Sequence, residues 1–127
     1  MNDRDCQLVR HIKEHHNELQ YELSLINGFE EYLSNKIINK AIKMDLLQIG
    51  ENVNHFTKEV QAQLNKKDFI GIIDIRNQVA HGYVQIKEEL IWNTIQKDVP
   101  RLMQQIDSLK QPLSDQRIQS VAFSFTH

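Results

Sequence analysis

Apolar residues recur every three or four positions along most of this chain, the spacing that places side chains on one face of an α-helix. The first such stripe predicts a helix over residues 4–26, ended by the turn pair Asn27-Gly28. A connector, residues 29–34, is predicted next, with Ser34 or Asn35 as the cap of the following helix. The stripe is formed by Leu8, Ile12, His15, Leu19, Leu23 and Ile26.

A second helix has the most regular spacing. Its apolar positions are Ile38, Ile42, Leu46, Ile49, Val53, Phe56 and Val60. Gly50 lies in the middle of this helix, where glycine costs ~1 kcal/mol relative to alanine. We therefore expect another helix to approach closely there. Thr57 marks a break, so the helix is predicted to be continuous only as far as Phe56.

The second half of the chain predicts two more helices. Asp68 is the expected N-cap of a helix over residues 69–81, and a loop over 82–85 leads to a last helix over 87–110. Pro100 is expected to kink or split that last helix. The fold class predicted is all-α, an up-down bundle of four to five helices in a domain over residues 1–110. Residues 111–127 lack a helical period and are predicted to be a flexible or docking tail.

Composition narrows the functional classes. The chain has 127 residues, 40% of them hydrophobic and 25% charged, which is typical of one globular domain that carries no membrane span. The first residues lack the order of a signal peptide, and the single cysteine, Cys6, excludes an internal disulfide framework, so a cytoplasmic location is expected. A net charge of −2 argues against non-specific nucleic-acid binding but allows a small basic cleft.

The candidate chemistry is concentrated in the octet Arg76–Tyr83, which combines a guanidinium, a carboxamide, an imidazole and a phenol beside Gly82. Arg76 occupies the apolar stripe of its helix. A guanidinium there requires an anion, several acceptors or access to a cleft. Glu51 is a candidate partner for Arg76, either as part of a site or as an ordinary ion pair within the bundle.

Asn77 and His81 are four positions apart, so they share a helix face and can hydrogen-bond. Arg76 and His81 are five apart, about 140° around a regular helix and roughly 7–8 Å along it. Either the helix ends at His81 with Gly82 in the left-handed conformation, or Arg76 and His81 act across a two-fold axis, or both. In the last turn, the helix dipole favours the charged form of His81 by ~0.3–1 kcal/mol.

The order Arg-Asn-x-x-x-His-x-Tyr at a helix end resembles the HEPN superfamily, and within it the HepT-like toxins. The similarity covers roughly residues 1–110 and includes the segments 46–51, 91–92 and 99–102. One departure is Phe69, which stands where the family usually has tryptophan.

The resemblance implies a homodimer in which two motifs face one cleft and act as a metal-independent endoribonuclease. By position, Arg76 would stabilise the scissile phosphate, His81 would transfer protons, and Asn77 would orient His81 or the phosphate. The RNA 2′-hydroxyl would be the nucleophile. Tyr83 would be the hydroxyl that a cognate minimal nucleotidyltransferase antitoxin modifies with AMP, as in a type VII-like toxin–antitoxin system, and Glu51 would be a supporting carboxylate. No cofactor is implied, because ATP would be the substrate of the antitoxin.

Three other interpretations stay open at this stage. Arg76, Asn77 and His81 can simply cap and pair within the bundle, and Tyr83 can simply pack. A HEPN module without cleavage activity can serve as a scaffold for a nucleotidyltransferase, and a purely structural protein is the third interpretation. No metal is predicted, because His11 and His15 have no acidic or cysteine partner at a telling spacing nearby.

Overall fold

The computed structural model describes residues 1–82 and 85–109, and within these ranges all regular structure is helical. The helices are α1 (Asp3–Ser24), α2 (Phe29–Ser34), α3 (Lys36–Asn54), α4 (Lys58–Gln63), α5 (Lys66–Ala80), α6 (Glu88–Asn93) and α7 (Val99–Asp107), with a π-helical segment at Thr94–Asp98. The predicted all-α bundle is confirmed. The predicted tail, residues 111–127, lies outside the described residues.

The long helices α1 and α3 pack along each other, and α5 packs on α3 beside them. The apolar stripes predicted for α1 and α3 supply much of the core, where Ile12, Leu19, Ile42 and Ile49 are completely buried. Asn35 caps α3 by accepting the Ile38 N–H at 3.1 Å, as one of the two predicted candidates. No helix in the described part of the chain is long and apolar enough to cross a membrane.

The predicted connector at residues 29–34 is wrong, because these residues form α2. Tyr32 is 0% exposed and anchors this short helix. Its ring forms a triangle with the rings of Phe29 and of Trp92 on α6, whose centroids lie 6.0 and 5.0 Å from that of Tyr32. A helix of six residues is too short to show a periodic stripe, so its aromatic packing decides its conformation.

The predicted break at Thr57 is confirmed, since Thr57 is the N-cap of α4. Its backbone N–H and hydroxyl both donate to the carboxylate of Asp5, at 3.0 and 2.8 Å. Asp5 is 1% exposed, and the two bonds satisfy its buried charge while they tie the start of α1 to the α3–α4 turn.

The predicted N-cap Asp68 is also wrong. Asn65 caps α5, with its side-chain oxygen accepting the Lys67 N–H at 3.3 Å. Asp68 is the third residue of α5, in its first turn, where it is 3% exposed and accepts a hydrogen bond of 2.6 Å from Gln105 of α7. The side chain that could have capped the helix is used instead to join two helices.

Pro100 splits the last helix, as predicted. A proline lacks the N–H for a helical bond, and its ring collides with the carbonyl four residues earlier. The chain relieves this by widening into the π-helical segment, whose register is visible in the Val99 N–H bonding Thr94 O five residues back. α7 then runs to Asp107, three residues short of the predicted end.

Gly50 marks a close contact between α3 and α5, as its position in the middle of α3 predicted. A Cβ atom on Gly50 would lie 3.1 Å from the carbonyl oxygen of Ile72 and 3.2 Å from Cβ of Arg76. Glycine is therefore what allows the backbone of α5 to approach α3 at this point. The same contact fixes where the side chain of Arg76 begins.

Candidate active site

The C-terminal end of α5 carries three of the predicted site residues, Arg76, Asn77 and His81. His81 is the C-cap, with its backbone N–H bonded to Asn77 O at 3.0 Å, and Gly82 follows with φ +77°. This is the left-handed helix stop expected from the sequence. His81 is exposed at the end of the helix, and Tyr83 lies outside the described residues.

Arg76 lies at the α3–α5 contact and is clamped from two sides. Its Nε donates to Oε2 of Glu51 on α3, and its Nη1 donates to Oδ1 of Asn77 at 2.9 Å. The side chain is 28% exposed, so the guanidinium reaches solvent although its Cβ is packed against Gly50. Two of its five N–H donors make these bonds, which fixes the guanidinium plane without using its whole capacity.

Asn77 connects Arg76 and His81 through hydrogen bonds. Its side-chain oxygen accepts from Arg76, and its backbone oxygen accepts from the N–H of His81. The sequence allowed the Asn77 side chain to bond His81 across one helical turn, but its oxygen is directed to Arg76. Arg76 and His81 remain separated by the roughly 7–8 Å that five helical residues span.

His55 belongs to the same surface and was missed by the sequence analysis. Its Nε2 lies 2.7 Å from Oε1 of Glu51, so the Glu51 carboxylate bridges an imidazole and a guanidinium. The available signal was the spacing of four between Glu51 and His55, which places them on one face of α3.

Electrostatics keep Glu51 ionised. The hydrogen bond from Arg76, and then that from His55, hold the pKa of the Glu51 carboxyl below its usual range. A depressed carboxyl pKa stabilises the fold at neutral pH, and this stabilisation is lost as pH falls through the folded-state pKa. Because Glu51 is about one-third exposed, the pair contributes only about 0–1 kcal/mol.

An open depression of about 380 Å³ lies beside Arg76 and Glu51, bordered by Leu47, Gln48, Val79 and Ala80. Leu47 and Val79 also line a neighbouring apolar groove of about 290 Å³, together with Lys40, Lys43, Met44, Leu46, Ile75 and Ile91. Val79 is 45% exposed and Met44 57% exposed. Val79, in the last turn of the apolar stripe of α5, is therefore not covered by the described residues.

The guanidinium of Arg76 gives this depression a fixed positive charge that can bind an anion. The exposed His81 lies at the C-terminal end of the same helix and carries an imidazole, a group that can transfer protons. Lys40 and Lys43 line the adjacent groove, where Lys43 forms an ion pair with Glu88 of α6.

Comparison with known proteins gives a consistent result. A sequence model described as "Ribonuclease HepT-like" matches residues 9–109. A protein of Caldanaerobacter subterraneus subsp. tengcongensis named "Putative RNase" is 27% identical over 96 residues, covering 74% of this chain and 86% of that protein. A protein of Methanocaldococcus jannaschii with the same kind of name is 24% identical over 102 residues, covering 76% of this chain and 88% of that protein. No solved structure matches the chain significantly.

Proposed function

The chain belongs to the Ribonuclease HepT-like family, and on that premise we propose that it is an endoribonuclease that cuts RNA without a metal ion. The observation that supports this most is the guanidinium of Arg76, which is held by Glu51 and Asn77 yet partly exposed to solvent, with the exposed His81 at the end of the same helix. A clamped, partly exposed guanidinium is prepared for a phosphate before the substrate arrives.

In this proposal each group has one task. The 2′-hydroxyl oxygen of the RNA attacks the adjacent phosphorus, and the bond to the 5′-oxygen of the next nucleotide breaks. Arg76 donates to the phosphate oxygens on which charge accumulates. His81 moves the proton that the attack releases or that the leaving oxygen needs. Asn77 and Glu51 hold Arg76 in place, so no protein nucleophile and no cofactor takes part.

We propose further that the site is completed by a second copy of the chain. Arg76 and His81 are too far apart on one helix to hold one small phosphate well. The apolar groove beside them, with Met44 and Val79 at its exposed rim, is the surface on which the second copy packs. Two octets would then face one cleft, and Arg76 of one copy would work with His81 of the other.

The dimer is tested by replacing Val79 with aspartate. A charge in an apolar interface costs several kcal/mol, so we expect the wild type to sediment as a dimer at micromolar concentration and Val79→Asp as a monomer. Val79 is already 45% exposed in one copy, so the variant should keep its Tm within a few degrees at protein concentrations too low for dimers. A wild-type monomer at micromolar concentration contradicts the two-motif cleft.

We propose that the physiological role is that of a toxin in a type VII-like toxin–antitoxin pair, with Tyr83 as the acceptor of AMP from a cognate nucleotidyltransferase. A bulky anion two residues from His81 would block the cleft by size and by charge repulsion. ATP is the antitoxin's substrate in this scheme. The domain would end near residue 110, with residues 111–127 as an appended tail.

One observation favours the alternative, a HEPN scaffold without cleavage activity that binds a nucleotidyltransferase. The Glu51 carboxylate already neutralises much of the charge of Arg76 and stands about one-third exposed beside it. An RNA phosphate must overcome that repulsion, which a scaffold would never face.

The endoribonuclease and the scaffold are distinguished by offering RNA to the wild type and to His81→Ala in the presence of EDTA. The endoribonuclease proposal requires cleavage by the wild type and a loss of about 10²–10⁴-fold in the variant, the usual contribution of a proton-transfer group. His11→Ala, which replaces an exposed histidine of α1, is the matched control and should cleave like the wild type. Cleavage by neither protein supports the scaffold, and equal cleavage by wild type and His81→Ala contradicts the assigned site.

A further inference from the structure

A second group of chemically active side chains lies at the interface of α1 and α3. His15 Nδ1 is 2.9 Å from Oδ1 of Asp45 and 3.7 Å from Oε2 of Glu18. One ligand atom from each of the three residues lies within 4.8 Å of the other two. The sequence suggested no partner for His15, because Asp45 is thirty positions away and only the packing of the two helices brings it near.

Glu22 adds a fourth donor one turn beyond Glu18. Its carboxyl lies against that of Asp45, whose side chain is only 6% exposed. The Oε1 atom of Glu22 is shielded from solvent and accepts no hydrogen bond from the described residues. A buried ionised carboxylate oxygen without a donor is costly, so this carboxyl holds either a proton or a positive partner.

The charges point in the same direction. Glu18, Glu22 and Asp45 place three carboxylates together, and the basic side chain of His15 contacts two of them, Glu18 and Asp45. Within residues 1–82 and 85–109, no lysine or arginine forms an ion pair with any of the three. The buried acids Asp5 and Asp68 accept bonds from neutral donors, and Asp68 Oδ1 also lies 3.8 Å from Nη1 of Arg101.

We propose that His15, Glu18, Glu22 and Asp45 bind one divalent transition-metal ion of the zinc class. An imidazole nitrogen combined with carboxylate oxygens is a donor set that Zn²⁺ accepts, at about 2.0–2.2 Å from each ligand. Ligands at that distance in a tetrahedron are about 3.4 Å apart. The separations of 2.9 and 3.7 Å from His15 Nδ1 to Asp45 and Glu18 bracket this value, and Glu22 would move in from beside Asp45 as the fourth ligand.

The ion would join the two longest helices of the domain. Three ligands come from α1 and one from α3, so the bound metal holds the helices in register where a proton on His15 Nδ1 otherwise bridges to Asp45. The site lies on the side of α3 that faces α1, whereas Glu51 and Gly50 face α5. The metal would therefore be structural and separate from the proposed RNA cleft. The metal-site proposal does not depend on the proposed function.

The test uses the full chain, stripped with EDTA and then titrated with Zn²⁺ or with Co²⁺ as a spectroscopic probe. At a metal concentration a hundred times Kd, we expect the Tm to rise by about 5–10 °C. We also expect one Co²⁺ per chain, with the visible absorption of a tetrahedral site. Glu22→Gln and His15→Gln, each nearly isosteric, should lose at least most of the Tm rise and the absorption.

Two matched controls lie on α1 outside the cluster. His11→Gln and Glu14→Gln replace exposed residues and should respond to metal like the wild type. Each variant is compared with and without metal, so a change in its basal stability does not disguise the result. No metal-dependent change in wild-type Tm and no Co²⁺ absorption would overturn the proposal and leave a cluster that binds protons only. Loss of binding in His11→Gln would overturn the assigned ligands.

Discussion

Replacing Arg76 with alanine is expected to lower kcat/KM for RNA cleavage by about 10²–10³-fold, the usual effect of removing one preorganised donor to a developing oxyanion. The same change should shift the Tm by no more than a few degrees. Glu51 and Asn77 both contact the guanidinium at a partly exposed surface, where an ion pair contributes little to folding. Glu51 also keeps its bond to His55.

Two further variants sharpen this result. Arg76→Lys keeps the charge but loses the planar fork that bonds Glu51 and Asn77 together, so it should recover only a small part of the activity. Arg101→Ala removes an exposed arginine of α7 and should leave cleavage unchanged. Thermal melting checks the fold of each protein. A large fall in Tm for Arg76→Ala would show that the residue is structural and contradict its role in the cleft.

Tyr83 provides the second large effect. Incubation of the chain with its cognate nucleotidyltransferase and ATP should increase the intact mass in steps of one AMP, and Tyr83→Phe should abolish the increase. The AMP-modified protein should also lose RNA cleavage, since the added anion would be attached two residues from His81 in sequence.

Tyr21→Phe is the control for this experiment, because Tyr21 is 67% exposed and distant from the octet in sequence. It should accept AMP like the wild type. An unchanged mass for the wild type would remove the proposed regulation and favour the scaffold. The same mass increase in Tyr83→Phe would place the acceptor at another residue.

The sequence predicted helices well where apolar residues recur every three or four positions over several turns. α1, α3, α5 and the split last helix all follow the three-four spacing, and Gly50 and Pro100 act as their positions suggested. It failed where a long-range contact decides the local conformation. α2 forms because Tyr32 is enclosed by Phe29 and Trp92, and Asn65 caps α5 because Asp68 is drawn to Gln105.

In the candidate site, too, local features could be predicted from the sequence and long-range contacts could not. The octet and the helix stop at Gly82 can be found from residue types and spacing alone. The clamp on Arg76 depends on Glu51, a residue twenty-five positions away, and spacing offered it only as one candidate partner. His55 belongs to the site only because it bonds Glu51, so nothing in the octet itself points to it. The cluster around His15 was invisible because Asp45 lies on another helix, thirty positions away.

The contact at Gly50 has a consequence for genetics. If the chain is toxic, cells that survive its expression carry mutations that inactivate it, and such mutations need not change any group that touches RNA. A larger side chain at position 50 of α3 would push against Ile72 O and the Cβ of Arg76 on α5. It would therefore move the Arg76 guanidinium out of its place in the cleft. Surviving clones should therefore include substitutions of this glycine, in full-length protein with an intact octet.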